Sequence, residues 1–236
     1  MPAHARPFAA GPGGVPVSFL RVAAAVARKD LRTELRSRET LPALGQFVVL
    51  ALLIANFGFD VETGGAKVAP GVLWLTVTFA GLVAFGRTFA SERDQASLEP
   101  LLLTPASRSA IFAGKALAAA LVLVACEVVL VPALGLFFNT PVFSLELAAA
   151  LVLATIGMAG LGCLFAALAA QTRARDLLLP VLALPLWVPF VVVGGRAVQV
   201  ALGGGGSLNG ALALLLDFDI LFVVVASLAA KFVLDD

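Results

Sequence analysis

The chain has 236 residues, of which 61% are hydrophobic and 13% charged, and its formal net charge is +1. Soluble domains average about 45–50% apolar and about 25% charged residues. This composition, with a mean hydropathy of +1.03, therefore excludes an ordinary soluble domain and indicates a membrane protein. At roughly 20 residues per helical span, the length allows about six crossings and leaves no room for a large soluble domain.

The N-terminal part predicts a disordered tail followed by an amphipathic helix. Residues 1–17 are rich in Ala, Pro and Gly and lack the apolar core of a signal peptide. Within residues 18–40, apolar residues recur on one line at helical spacing, and basic residues lie to the other side. The apolar line is Leu20, Ala24, Ala27, Leu31 and Leu35, and the basic residues are Arg21, Arg28, Lys29, Arg32 and Arg36. The pattern predicts a helix on the anionic cytoplasmic surface of the membrane; the alternative is a cytosolic extension of the first span.

Residues 41–236 predict an all-α domain of six transmembrane helices. The apolar runs place the spans at about 42–59, 70–90, 110–138, 145–170, 177–193 and 209–234. Residues 60–69 predict a loop with a turn at Gly64-Gly65, and Pro70 suits the first turn of the second span. Trp74 is interpreted as an interfacial aromatic near the outer end of that span.

Glycines and prolines mark special points within these spans. Gly157, Gly160 and Gly162 in the fourth span predict a face that another helix approaches closely. Four prolines lie inside apolar runs and predict kinks or breaks, because each lacks the N–H of a helical hydrogen bond. They are Pro132, Pro180, Pro185 and Pro189.

The distribution of Lys and Arg predicts the orientation. With six crossings, fourteen of the sixteen basic residues fall on the side that holds both termini, and only Lys67 and Arg196 fall on the other. The fourteen are Arg6, Arg21, Arg28, Lys29, Arg32, Arg36, Arg38, Arg87, Arg93, Arg108, Lys115, Arg173, Arg175 and Lys231. Basic residues accumulate on cytoplasmic loops, so both termini are predicted to be cytoplasmic, in a multi-pass protein of the inner membrane.

The longest polar interruption between the apolar runs, Arg87 to Pro105, is then a cytoplasmic loop. Ser91 and Asp94 resemble a capping box, and Thr104-Pro105 predicts the start of the third helix, so the loop is expected to contain a short surface helix ending at Pro100. Its mixed charges favour docking to a protein groove over attraction to anionic lipid; a solvated connector is the alternative. The candidate docking residues are Arg87, Glu92, Arg93, Asp94, Ser97, Leu98 and Glu99.

Three carboxyl groups lie within apolar runs: Glu127 in the third span, and Asp217 and Asp219 in the sixth. A carboxylate at this depth is expensive and faces the bundle interior or water. All three are candidates for lining a passage. For Glu127 the alternatives are a protonated carboxyl group or a hydrogen bond to another helix. Asp217 and Asp219 lie close enough to the outer surface to be partly hydrated, and a structural role is favoured for them.

Patterns of soluble enzymes are absent from the sequence. It contains no Walker A motif, no HExxH and no Cys/His metal pattern. Cys126 and Cys163 lie in apolar runs and predict small buried residues, with neither a disulfide nor a zinc site. Haem iron is ligated by His, Met, Cys or Tyr, whereas this chain has His4 in the tail, Met158 internally and no tyrosine. No bound cofactor and no nucleic acid partner is expected.

An ordered set of motifs is similar to the haem exporter protein B family, the permease subunits of ABC transporters in c-type cytochrome maturation. The resemblance runs from about residue 20 to residue 232. The motifs are Lys67-Val68-Ala69-Pro70-Gly71-Val72-Leu73-Trp74, Arg87–Asp94, Ser97-Leu98-Glu99-Pro100-Leu101-Leu102-Leu103, Lys115 and Leu182-Ala183-Leu184-Pro185-Leu186-Trp187-Val188-Pro189.

The resemblance implies a fold of the ABC-2 exporter type, with a re-entrant outer element that fits Val188–Leu216. It implies a separate ATPase subunit (haem exporter protein A) docked on the loop, a haem-handling membrane partner (haem exporter protein C) and two permease copies per transporter. ATP hydrolysis on the partner then drives release of a haem-loaded periplasmic chaperone, with haem as cargo. Two alternatives stay open: an ABC-2 permease for a lipid, polysaccharide or drug, and an intramembrane enzyme or proton-coupled carrier using Glu127, Asp217 and Asp219.

Overall fold

The structure is a computed structural model that describes residues 19–37, 40–59, 61–88, 107–170, 172 and 175–233. These residues form seven α-helices. The helices are α1 (Phe19–Ser37), α2 (Thr40–Gly58), α3 (Val61–Arg87), α4 (Arg108–Phe138), α5 (Leu145–Ala170), α6 (Arg175–Ala201) and α7 (Leu208–Val233).

Six of the described helices, α2 to α7, are long and apolar enough to cross a membrane. The helix α1 is the exception, since basic residues interrupt its apolar positions. The predicted all-α membrane fold with six spans is therefore confirmed.

The second span begins earlier than predicted. The helix α3 starts at Val61 and continues through Gly64-Gly65 and Pro70, so the predictions of a turn at the glycines and of a first-turn proline are wrong. Pro70 removes a single N–H, which a long helix tolerates where water or neighbouring protein satisfies the freed carbonyl.

The prolines do not break the helices that contain them. The helix α4 continues through Pro132, and α6 continues through Pro180, Pro185 and Pro189. A break is therefore wrong at these four positions, while a kink stays a prediction. Each proline removes one backbone hydrogen bond. The remaining backbone hydrogen bonds, together with packing against other helices, are sufficient to keep each helix continuous.

The same continuity corrects the prediction for the outer end of the fifth span. The helix α6 passes through Gly194-Gly195 and ends only at Ala201, so a separate re-entrant element beginning at Val188 is wrong. The chain turns at residues 202–207, where Gly203 and Gly206 have φ of 92° and 141°. These conformations suit glycine because it has no Cβ. The helix α7 follows directly.

The helix α5 lies at the centre of the bundle and contacts α3, α4, α6 and α7. Its glycines are the points of closest approach: a Cβ on Gly162 would lie 2.7 Å from the ring of Phe85, and one on Gly157 would overlap Phe190. The predicted close approach of other helices is confirmed at Gly157 and Gly162, which lie on different sides of α5, whereas a Cβ on Gly160 would make only an ordinary contact, 3.4 Å from Val223. Because lipid supplies no hydrophobic force between helices, such tight packing is a main source of stability in the membrane.

Trp74 faces the bundle interior and not the lipid headgroups, so its interpretation as an interfacial aromatic is wrong. Its side chain is 1% exposed and packs against Gly194 of α6, where an added Cβ would overlap the indole ring. The missing side chain of a glycine on one helix thus makes room for a tryptophan on another. Trp187 on α6 is buried in the same way against Gly81 and Gly162.

Candidate coupling site at the base of the polar loop

The helix α1 packs on α4 with a face that includes Ala27 of the predicted apolar line but is rotated away from most of that line. Ala23, Val26 and Ala27 are buried, whereas Leu20 and Leu35 are 76% and 56% exposed. Around a helix of 3.6 residues per turn, the buried face lies roughly a quarter-turn from the apolar line. The protein therefore uses one face of α1 for the bundle and leaves much of the apolar line uncovered.

A glycine on α4 allows this contact. A Cβ added to Gly114 would lie 2.6 Å from the carbonyl oxygen of Ala23 and 2.7 Å from the Cβ of Val26. Both distances are below normal van der Waals separation, so any larger residue at position 114 would push α1 away. The two helices consequently meet almost backbone to backbone.

Next to Gly114, Lys115 links three elements. Its Nζ lies 3.1 Å from Oδ2 of Asp30 on α1 and donates a hydrogen bond of 3.0 Å to the carbonyl oxygen of Thr88 at the end of α3. The side chain of Lys115 is 1% exposed, and that of Asp30 is 19% exposed. A buried ammonium group persists only when it is paired and hydrogen-bonded, and both requirements are met here.

A second ion pair lies close by. The Nε of Arg87, in the last turn of α3, is 3.8 Å from Oε1 of Glu34 on α1. Asp30 and Glu34 are four residues apart and therefore on one face of α1. These two carboxylates, which were not among the predicted site residues, direct α1 towards the two cations. We call Asp30, Glu34, Arg87, Thr88 and Lys115 the α1 junction.

The α1 junction borders a cavity of about 290 Å³. The cavity wall combines α1, the start of α2 at Thr40, the end of α3 and the first turns of α4. All of these helix ends belong to the side that the charge distribution predicts to be cytoplasmic. The helix α4 begins here with Ser107 as its N-cap, whose Oγ accepts a hydrogen bond from the N–H of Ala110 at 3.3 Å. The predicted start at Thr104-Pro105 is corrected to Ser107-Arg108.

Most of the predicted docking residues fall outside the described residues. Arg87 is described and belongs to the α1 junction, whereas residues 89–106 are not described, so these docking predictions remain untested. The six docking residues in that segment are Glu92, Arg93, Asp94, Ser97, Leu98 and Glu99. Thr88, which precedes this segment, belongs to the α1 junction, and Ser107, which follows it, is the N-cap of the helix that carries Lys115.

Among the predicted passage-lining residues, Glu127 is buried between α4 and α5. The hydroxyl of Thr155 donates a hydrogen bond of 2.6 Å to its Oε1, and 5% of the residue is exposed. Glu127 also borders an apolar groove of about 490 Å³ between α4 and α5. In the structure, the carboxyl group of Glu127 thus links α4 to α5 through a hydrogen bond.

The two aspartates of α7 differ from each other. Asp219 is 4% exposed and lies beside Gly157 of α5, and neither of its carboxyl oxygens has a hydrogen-bond partner among the described residues. Asp217 is exposed on the outer surface of α7. Because Thr155 and Gly157 are two residues apart, they point to sides of α5 about 200° apart. The structure therefore does not bring Glu127 and Asp219 together into one passage.

The chain matches a known protein family over most of its length. Residues 21–235 match the family model described as CcmB protein. The chain belongs to the CcmB protein family. The α1 junction, the buried Glu127 and both tryptophans described above all lie within the matched residues.

Curated members of the CcmB family are similar to the chain over most of its length. A protein named "Heme exporter protein B" from Paracoccus denitrificans is 32% identical over 178 residues, which cover 75% of this chain and 82% of the relative. Its namesake from Rhodobacter capsulatus is 30% identical over 74% of this chain and 81% of the relative. That from Bradyrhizobium diazoefficiens is 28% identical over 87% and 94%.

Proposed function

We propose that this CcmB-family chain is the permease subunit of a haem-export ABC transporter that serves c-type cytochrome biogenesis. The observation that supports this most is the alignment with curated proteins named for haem export, at 32% identity over 75% of the chain. The six membrane-crossing helices agree with a permease. In this proposal both termini and the loop lie in the cytoplasm, as the distribution of Lys and Arg predicts.

In this proposal the chain hydrolyses no ATP itself. A separate ATPase subunit, haem exporter protein A, docks on the polar loop through Glu92, Asp94, Glu99 and their neighbours, and two permease copies complete the transporter. Hydrolysis drives release of a haem-loaded periplasmic chaperone, together with the haem-handling partner haem exporter protein C. Haem is cargo of the assembly, and this chain contributes no ligand to its iron.

Gene deletion tests the function. Loss of the chain should abolish covalent haem attachment to c-type cytochromes, measured by haem staining of membrane proteins, and the wild-type gene should restore it. If cytochromes form normally without the chain, the haem function is wrong and the export of a lipid, polysaccharide or drug becomes the better hypothesis.

Co-purification tests the coupling to an ATPase. An ABC ATPase should be recovered with the wild-type chain from detergent-solubilised membranes and be lost with Glu99→Arg. Glu146→Arg is the matched control, because Glu146 is exposed in the first turn of α5, at the opposite end of the bundle. Equal recovery of the ATPase with both variants would contradict docking through the loop. Absence of any ATPase from the wild-type sample would favour the intramembrane enzyme or carrier.

A further inference from the structure

The α1 junction connects elements that are far apart in sequence at the point where the polar loop is attached. Lys115 and Asp30 are 85 positions apart, and Lys115 and Thr88 are 27 apart. Thr88 precedes the loop and Ser107 follows it. The Lys115 side chain therefore links the end of α3, where the loop begins, to α4, where the loop ends. The same side chain holds α1.

These bonds give the junction a rigidity that ordinary surface ion pairs lack. Lys115 is 1% exposed, so its ammonium depends on these two partners in place of bulk water. The carbonyl of Thr88 lies at the C-terminal end of α3, where the helix dipole favours a cation. Breaking a buried charge pair leaves an uncompensated charge, which opposes separation of α1, α3 and α4.

Packing beside Lys115 also opposes the separation of α1 from α4. Gly114 brings α1 within contact of the α4 backbone, and Glu34 provides a second link from α1 to Arg87. The basic residues Arg28 and Arg32 lie on the exposed side of α1 and do not take part. The helix α1 is thus attached to the ends of both helices that flank the loop.

We propose that Lys115 is a positioning residue for energy coupling: it joins α1, the end of α3 and the start of α4 into one rigid body. Force applied to residues 89–106 by the ATPase subunit then moves α3 and α4 together, and α1, which is attached to both, moves with them. Without Lys115 the loop still binds the ATPase, but the flanking helices move independently. This inference rests on the proposed function, because its activity is measured as the yield of c-type cytochrome, and it adds a role for Lys115 within that function.

The direct test of the rigid body is a distance measurement on the full-length chain in membranes. Spin labels are placed on α1 at Arg28 and at the far end of α4 at Leu136, both of which are exposed. The native cysteines are buried and are replaced by alanine. The wild-type background should give a narrow distance distribution, Lys115→Met a broad one, and Lys115→Arg a narrow one, because arginine keeps the charge and the donors.

The functional test uses the deletion strain complemented with the same variants. Lys115→Met should retain co-purification of the ATPase while the yield of c-type cytochrome per permease falls about tenfold, within the usual range of coupling between two sites. Asp30→Asn should act in the same direction, and Lys115→Arg should recover most of the yield. Gly114→Leu should resemble Lys115→Met, since it displaces α1 and, with it, Asp30 from Lys115 while both charged side chains are kept. Gly45→Ala, at a site with no neighbour within 4 Å, is the control.

Two results would overturn the proposal. One is an unchanged distance distribution in Lys115→Met. The other is a cytochrome yield that falls only in proportion to the amount of permease in the membrane, because Lys115 would then serve folding alone. If instead the wild-type chain supports no cytochrome formation, the proposed haem function fails, while the distance measurement still decides whether Lys115 holds α1 to α4.

Discussion

Thr155 on α5 donates a hydrogen bond of 2.6 Å to Glu127 on α4, and both side chains are buried. On the other side of α5, Asp219 of α7 lies beside Gly157 without a hydrogen-bond partner among the described residues. The central helix is therefore flanked at nearly the same level by two buried carboxyl groups, of which one is hydrogen-bonded and the other is not. This difference leads to opposite expectations for the two residues.

Removal of the Thr155 hydroxyl should destabilise the protein. Thr155→Val keeps the shape of the side chain but leaves Glu127 buried without this donor, at a cost of about 1–2 kcal/mol. Thermal unfolding of the purified protein in detergent measures the effect. Thr155→Ser and Thr155→Ala are the matched pair, because both lack the buried methyl group and differ only in the hydroxyl. Equal unfolding temperatures for these two variants would contradict a stabilising role for the bond.

Replacement of Asp219 should not destabilise the protein. Its unpartnered carboxyl group already costs free energy in the interior, so Asp219→Ala is expected to unfold at the wild-type temperature or above it. Leu215 lies one turn earlier on α7 and is 0% exposed. Leu215→Ala, which loses contacts and leaves a cavity, should cost about 2 kcal/mol or more. A larger loss for Asp219→Ala than for Leu215→Ala would show that Asp219 has a stabilising partner.

A larger residue at Gly162 should disrupt the centre of the bundle. The added Cβ of Gly162→Ala would lie 2.7 Å from the ring of Phe85 and 3.0 Å from that of Trp187, and overpacking of this kind costs about 1–3 kcal/mol. Gly45→Ala places the same methyl group where no atom lies within 4 Å. The unfolding temperature should fall for the first variant and stay unchanged for the second; the reverse order would refute the tight contact.

The uncovered apolar line of α1 should contact lipid. A fluorescent label on a cysteine at Leu20 or Leu35 should be quenched by lipids that carry a quencher in the acyl chain, because these positions are 76% and 56% exposed beside a membrane surface. A label at Arg32, on the basic side, should be quenched less. Equal quenching at all three positions would refute the interfacial orientation.

The sequence was sufficient to predict the number of helices that cross the membrane. The apolar runs are long, and charged residues separate them, so the cost of burying charge in lipid defines the spans without any reference to neighbours. The six spans and the close approach at Gly157 and Gly162 follow from residue types alone. The positions of helix ends do not, as the extensions of α3 to Val61 and of α6 to Ala201 show.

The packed helices were needed to show which face of α1 meets the bundle and which groups Lys115 binds. Hydropathy places Leu20 and Leu35 on the apolar line, but the face on α4 is set by Ala23, Val26 and the small size of Gly114. The partners of Lys115 are separated from it by 85 and 27 positions, and no local periodicity encodes such contacts. Residue composition is enough to predict which segments enter the membrane, because the free energy of transfer from water to lipid depends on residue type. The α1 junction depends on the packing of three helices, and this arrangement exists only after they have assembled.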